Sequence, residues 1–169
     1  MLRNILSYIL GSLIFFVAGP YLIVYLSEFS DMDFMPTGLP AMIFVSICSA
    51  TGLYFVISAN YELLTKGHGG AVVVGSVKLS HETDTLVVTG TYSLCRNPMH
   101  MGLMLFYFGL CCAINSFITL IIPVLMWMFS FLFAVLIDEP RLKRDFPLEY
   151  EKWVKDVPQR FWPKPKKAS

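Results

Sequence analysis

Residues 97–137 contain no Lys, Arg, Asp or Glu, and that run constrains the fold more than any other feature of the chain. At about 1.5 Å per residue, one helix over the apolar part, 99–137, would reach nearly twice the ~30 Å hydrocarbon thickness of a bilayer. The run has a polar break at Asn115-Ser116. A hairpin of two membrane helices, about 99–114 and 117–137, accommodates it, with Pro123 tolerated in the second because neighbours satisfy freed backbone groups. Ile5 to Leu26 and Pro40 to Tyr61 are also free of charge. Each meets the requirement of roughly 20 apolar residues for a span, giving spans of about 5–26 and 41–62. A cleaved leader is the alternative for the first, but its apolar stretch exceeds the roughly 7–15 residues of a signal core, and no small-residue cleavage pattern follows Leu26. The expectation is an all-α integral membrane protein, one domain over residues 1–169. It has four transmembrane helices, a hairpin made by spans three and four, and a C-terminal amphipathic helix within a cytoplasmic segment, 138–169.

Charge placement tests the count independently. Loop one, 27–40, carries Glu28, Asp31 and Asp33 and no basic residue. Arg3 precedes the first span, Lys66, Lys78 and Arg96 fall between spans two and three, and the other nine of the 13 Lys and Arg follow Ile137. With four spans all 13 lie on one side. The positive-inside rule makes that side the cytoplasm, with both termini and the 62–98 loop. Three or five spans would divide the basic residues.

The composition, 56% hydrophobic and 15% charged with a mean hydropathy of +0.62, excludes an ordinary soluble domain. No aromatic-basic surface supports nucleic-acid binding. Lys164, Lys166 and Lys167 form a basic tail suited to anionic lipid. Cys48, Cys111 and Cys112 lie in spans, Cys95 lies just before one, and there is no CxxC or other metal-ligand spacing.

Gly67, Gly69 and Gly70 read as a flexible exit from span two, without the Gly-Lys-Ser/Thr ending of a phosphate loop. The β-branched stretches "AVVVGSVKL" and "TLVVTG" read as extended segments or a small hairpin. Beyond the fourth span, Leu142, Phe146, Tyr150, Trp153 and Val157 recur at helical spacing, so one side of the tail is apolar. Pro147 interrupts that stretch and Pro158 and Pro163 end it. Such a helix lies along the membrane or covers a cytoplasmic pocket.

Two polar clusters stand at the cytoplasmic ends of the hairpin: Tyr92, Arg96, Asn97 and His100 before span three, and Asp138, Glu139 and Arg141 after span four. Either alone is commonly an interface anchor. The hairpin brings its two open ends together, which permits a pocket with a cation, an amide and carboxylates at its mouth.

"GTYSLCRNPMHMG" resembles the Gly-Pro-Tyr-x-x-x-Arg-His/Asn-Pro-x-Tyr-x-Gly motif of isoprenylcysteine carboxyl methyltransferases and their prokaryotic relatives. "DEPRLKRDFPLEYEKWVKDVP" is similar to their Glu-Glu-x-x-Leu…Phe-Gly-x-x-Tyr-x-x-Tyr…Val-Pro segment. The resemblance covers about 13 and 21 residues, in order and separated by a hairpin of the expected length. It implies a membrane methyltransferase using S-adenosyl-L-methionine held at the cytoplasmic helix ends. On the matching positions, Tyr92, Arg96, Asn97, Pro98, Gly102, Glu139 and Leu142 are the implied cofactor residues. Arg96 suits the cofactor carboxylate and Glu139 its amine or ribose diol. Gly102 suits close approach of backbone or ligand, and aromatic faces such as Tyr92 suit the sulfonium.

The acceptor implied is lipidic or lipid-attached and enters from the bilayer. A carboxylate, as in isoprenylcysteine O-methylation, is already ionised near neutral pH and needs no base. An amine needs deprotonation, for which His100 is the candidate, with His68 and His81 as further histidines. The chain departs from the motif at Thr91 (Pro in the family), His100 (Tyr), Pro147 (Gly) and Asp156 (a basic residue). Other readings are a phospholipid or amine N-methyltransferase, a sterol-reductase-like enzyme, disfavoured by the short chain, and a non-catalytic membrane protein retaining the fold.

Overall fold

A computed structural model describes residues 9–67, 73–74, 77–78 and 84–163. Five helices account for most of them: α1 (Ile9–Ser27), α2 (Leu39–Thr65), α3 (Pro98–Ile114), α4 (Phe117–Asp145) and α5 (Pro147–Asp156). α1, α2 and α4 are each long and apolar enough to cross a membrane. α3 is an apolar helix of 17 residues, at the lower limit of the usual range. The extended segment expected after α2 is present as a two-residue antiparallel ladder, β1 (Val73–Val74) on β2 (Val77–Lys78). Residues 85–90 form no strand. Gly69, Gly70, His68, His81, Lys164, Lys166 and Lys167 lie outside the described residues.

Prolines shape the helices, and side chains from neighbouring helices repair what they leave. Pro20 has no N–H to donate, and the preceding π-turn (Ile14–Ala18) sends Gly19 N to Ile14 O. Phe15 O, thereby bypassed, accepts the Tyr107 hydroxyl from α3 at 2.8 Å. Pro123 offers no N–H to Thr119 O, and Cys111 Sγ donates to that carbonyl at 3.2 Å. Pro140 follows a second π-turn (Ala134–Asp138), in which Glu139 N reaches Ala134 O. The extra residue in such a turn advances everything beyond it by about 100° around the helix. Glu139 is the first residue so re-aimed.

α4 does not stop at Ile137, where the charges begin, but continues to Asp145. Charge does not terminate a helix, whereas a proline disfavours helical backbone in the residue before it. Phe146 accordingly sits at φ −136°, ψ 61°, and Pro147 opens α5. Leu142 thus belongs to α4, and the apolar stripe of the tail is divided at the proline as expected.

The closest helix pair is α2 with α3, joined along small residues that let backbones meet. A Cβ on Gly52 would lie 2.6 Å from Gly102 O, and one on Gly102 would lie 2.7 Å from Gly52 O and 2.8 Å from Phe55 Cβ. Gly109 faces Ser49 along the same seam. α3 and α4, although consecutive, stand further apart and leave an apolar groove of about 540 Å³ between them.

At one end of the bundle Asn115 takes the left-handed conformation (φ 57°) that ends α3. Its Oδ1 accepts from Phe34 N and Met35 N at 3.3 and 3.1 Å, and its Nδ2 donates to Met35 O at 3.0 Å. Ser116 Oγ donates to Ser30 O and Phe117 N to Met32 O, so the hairpin tip clamps the acidic loop one. The opposite end gathers the last turn of α2, residues 84–97, the end of α4, α5 and the chain that follows α5.

Candidate active site at the basic end of the bundle

Thr89 to Asn97 enters this end through a 3₁₀ turn (Gly90–Ser93). Gly90 has φ 57°, and Glu62, buried in the last turn of α2, lies directly against it. Thr91 Oγ1 donates to Glu62 Oε2 at a long 3.4 Å, and Lys66 Nζ stands 4.0 Å from Oε1. Lys66 also donates to Thr89 Oγ1 at 2.7 Å. This fixes the turn from which Tyr92 and Arg96 project.

α5 then covers the turn. Tyr150 and Trp153 are buried with Tyr92, Ala59, Val87 and Val157, and Leu142 packs on the same cluster. Trp153 Nε1 donates to Tyr92 O at 3.1 Å, and the two rings lie 6.5 Å apart. The tail helix therefore covers the end of the bundle that carries Arg96 and Glu139.

Beyond Val157 the chain turns back as a short strap, residues 158–162, laid across the open end of the α3–α4 hairpin. Its backbone is pinned by Arg96 N to Gln159 O at 2.9 Å and Asn97 N to Arg160 O at 2.8 Å. Asn97 Nδ2 adds a bond to Arg160 O at 3.1 Å. Phe161 is buried against Met101, Met104, Cys95 and Ala134. Trp162 reaches the groove between α3 and α4.

These segments converge on one carboxylate. Arg96 Nη1 is 3.1 Å from Glu139 Oε1, and Arg160 grips both Glu139 oxygens, Nε at 2.7 Å and Nη2 at 3.1 Å. Arg96 Nη1 also donates to the Tyr150 hydroxyl at 3.3 Å. The Arg96 side chain is only 8% exposed, and its Nε is buried with no partner among the described residues. Asp138 and Arg141 pair with each other at 3.4 Å. The inner cluster thus holds two guanidiniums and one carboxylate, with one positive charge in excess. Burial, reinforced by the Glu139 charge, raises the Tyr150 pKa, so this phenol is neutral and serves as a hydrogen-bonding group. Burial also pushes the Cys95 thiol up to about 11.

Of the residues singled out in the sequence, Arg96 and Glu139 are in direct contact, and Asn97 holds the strap beside them. Tyr92 and Leu142 lie in the aromatic cluster under α5. Pro98 is fully buried at the first turn of α3. Gly102 is committed to the α2 seam, where its bare Cα serves helix packing. His100 is half-buried, with its ring edge-on to Phe133 at 5.8 Å. Sequence reasoning did not single out Arg160 or Glu62. Among the described residues no group of three or more His, Cys, Asp and Glu is placed to hold a metal.

The phospholipid methyltransferase family model matches residues 40–149, more than half of the chain. This is an integral membrane methyltransferase family related to, but distinct from, the carboxyl methyltransferases that the motifs resemble. No curated protein and no solved structure matches the chain.

Proposed function

This chain belongs to the phospholipid methyltransferase family, and from that premise we propose that it transfers a methyl group from S-adenosyl-L-methionine to a lipid acceptor beside the Arg96–Glu139–Arg160 cluster. The observation carrying this reading is the cluster itself. Two cations share one carboxylate, and a buried Arg96 Nε has a donor to spare. Such a set fits the zwitterionic end of the cofactor: Glu139 suits the ammonium, and Arg96 suits the carboxylate. Tyr92, Tyr150 and Trp153 supply aromatic surface next to the cluster, suited to a sulfonium and a purine. When bound, the cofactor supplies a methyl group on a cationic sulfur. The chain's own part is to orient, to shield from water and to hold charge, and these suffice for an in-line displacement.

The acceptor's hydrocarbon chain fits the groove between α3 and α4. Leu105, Phe108, Leu120, Val124, Trp127 and Trp162 line it, and the strap at its end carries Arg160. The family match favours a phospholipid amine as acceptor, and the motif resemblance favours a carboxylate on a prenylated or otherwise lipidated group. For an amine, His100 on the first turn of α3 is the proposed base. Four crossings, counting α3 as the shortest, put Lys66, Arg96, Arg141 and Arg160 at one end of the bundle. The positive-inside rule makes that end, both termini and the site cytoplasmic.

Binding of radiolabelled S-adenosylmethionine to purified protein tests the reading. Binding that is lost in Arg96→Ala and in Glu139→Ala supports it. No binding by the wild type, or binding indifferent to both changes, would overturn it. Methylation of lipid extracts followed by mass spectrometry then separates amine from carboxylate acceptors.

A further inference from the structure

Arg160 lies two residues past the Val157-Pro158 that closes the apolar stripe, and its two ends behave differently. Its backbone is fixed, because Arg160 O accepts both the backbone N–H and the side-chain amide of Asn97, and the next residue, Phe161, is buried. Its guanidinium is the most open member of the ionic cluster, 41% exposed against 8% for Arg96 and 20% for Glu139. The head group nevertheless makes the strongest contact there, a two-pronged grip on Glu139. A cation tethered by a rigid backbone, with a solvent-facing head, is placed to change partners without the strap moving.

The cluster also has a reason for such a change. Both Glu139 oxygens are engaged by guanidiniums, so a further cation reaches the carboxylate only by displacing one of them, and Arg160 is the more exposed of the two. A ligand that is itself a zwitterion can do this and leave neither displaced group without a partner. Its ammonium takes Glu139 in place of Arg160, and its carboxylate takes the released guanidinium. Each displaced group then has a new partner, and the cluster's single excess positive charge is unchanged. A ligand with only an ammonium would strand Arg160, and one with only a carboxylate would leave the Arg160–Glu139 grip to compete with it.

We propose that Arg160 is a ligand-binding residue that exchanges Glu139 for the carboxylate of the α-amino acid end of the methyl donor, a carboxylate it shares with Arg96. The exchange ties donor binding to the seating of the strap. It rests on the methyltransferase reading above and assigns a role to a residue outside both sequence motifs.

Calorimetric titration of the full-length protein with S-adenosylhomocysteine and with 5′-methylthioadenosine tests the exchange. The two ligands share the adenosine and the sulfur, and only the first carries the amino-acid end. Arg160→Ala is expected to weaken S-adenosylhomocysteine by on the order of tenfold to a hundredfold, the loss of a charge-assisted pair. It should leave methylthioadenosine within about twofold, and Arg160→Lys, which keeps charge but not the fork, should recover part of the loss. Equal weakening of both ligands would mean that Arg160 only seats the strap, and the proposal fails. Unchanged affinity for S-adenosylhomocysteine also defeats it. If the wild type binds neither ligand, the methyltransferase reading itself falls and the exchange falls with it.

Discussion

Glu62 in the last turn of α2 and Gly90 at the start of the 3₁₀ turn are in direct contact, with the carboxylate occupying the space where any other residue at 90 would carry its Cβ. Gly90 also has φ 57°, which costs a residue with a Cβ about 1–2 kcal/mol. Gly90→Ala therefore meets two penalties, one conformational and one steric. Its thermal midpoint should fall, and adding Glu62→Ala should return only the steric part. Full recovery in the double variant would show that the φ angle is immaterial.

The seam between α2 and α3 makes a second prediction. Gly102→Ala places a methyl within 3 Å of Gly52 O, Phe55 Cβ and Val56 N, two of them backbone atoms that cannot swing aside. Overpacking of this kind costs roughly 1–3 kcal/mol. Gly11→Ala, with nothing within 4 Å, should be neutral or slightly stabilising. Unfolding monitored in the same detergent checks the pair, and similar midpoints for the two variants would refute the close packing.

Asn115 combines a left-handed backbone with three hydrogen bonds to loop one. Asn115→Gly keeps the backbone and loses the bonds, whereas Asn115→Ala loses both. Protease cleavage within residues 28–38 should increase in both variants, and global stability should fall further in Asn115→Ala. The reverse order would mean that the side-chain bonds are incidental.

Cys95 is fully buried and its thiol is pushed up to about 11. At pH 8 only on the order of a thousandth is thiolate, the reactive form. Maleimide should label Cys95 in denatured protein and not in the native state. The raised value also gives a sign to the pH dependence. The stabilisation from burying the neutral thiol is complete below about 9, the unperturbed value, and is lost as pH rises through about 11. Rapid native labelling at pH 8 would contradict the burial.

Within the ionic cluster the order of effects is set by what each change leaves behind. Glu139→Ala leaves two guanidiniums facing each other, one of them buried, and should cost about 3 kcal/mol. Arg160→Ala leaves Glu139 still paired with Arg96 and removes a partly exposed group, so its cost to stability should be clearly smaller. Melting temperatures of the two variants decide this, and equal losses would mean that Arg160 contributes by packing.

Several of these features were legible in the sequence because one physical signal dominated. The charge-free run forced a hairpin, Asn115 marked its tip, and the hairpin then required Arg96 and Glu139 to approach each other. The tail stripe from Tyr150 to Val157 pointed to an amphipathic helix, either along the membrane or over a pocket. Other features had no single signal. Glu62 reads as the charge that ends a span, and only the fold turns it toward Gly90. Arg160 lies between Pro158 and Pro163 in a stretch without periodicity, so nothing local indicates that it returns to Glu139. The motif marks Gly102 as a point of close approach for backbone or ligand, but its partner Gly52 lies 50 positions earlier, and the seam exists only once α2 and α3 pack. The charges after Ile137 bound the apolar run, whereas the helix itself continues until Pro147 ends it.

The strap gives the order in which the protein can become competent. Arg96, Glu139 and Arg160 reach the bundle in that sequence during synthesis, and the last two bonds of the cluster are made by a residue 63 positions beyond Asn97, its backbone partner. Insertion of all the apolar helices can therefore be complete while the cluster is still open. Ligand affinity, measured on nascent chains of increasing length, would register the moment the tail folds back rather than the moment the membrane is crossed.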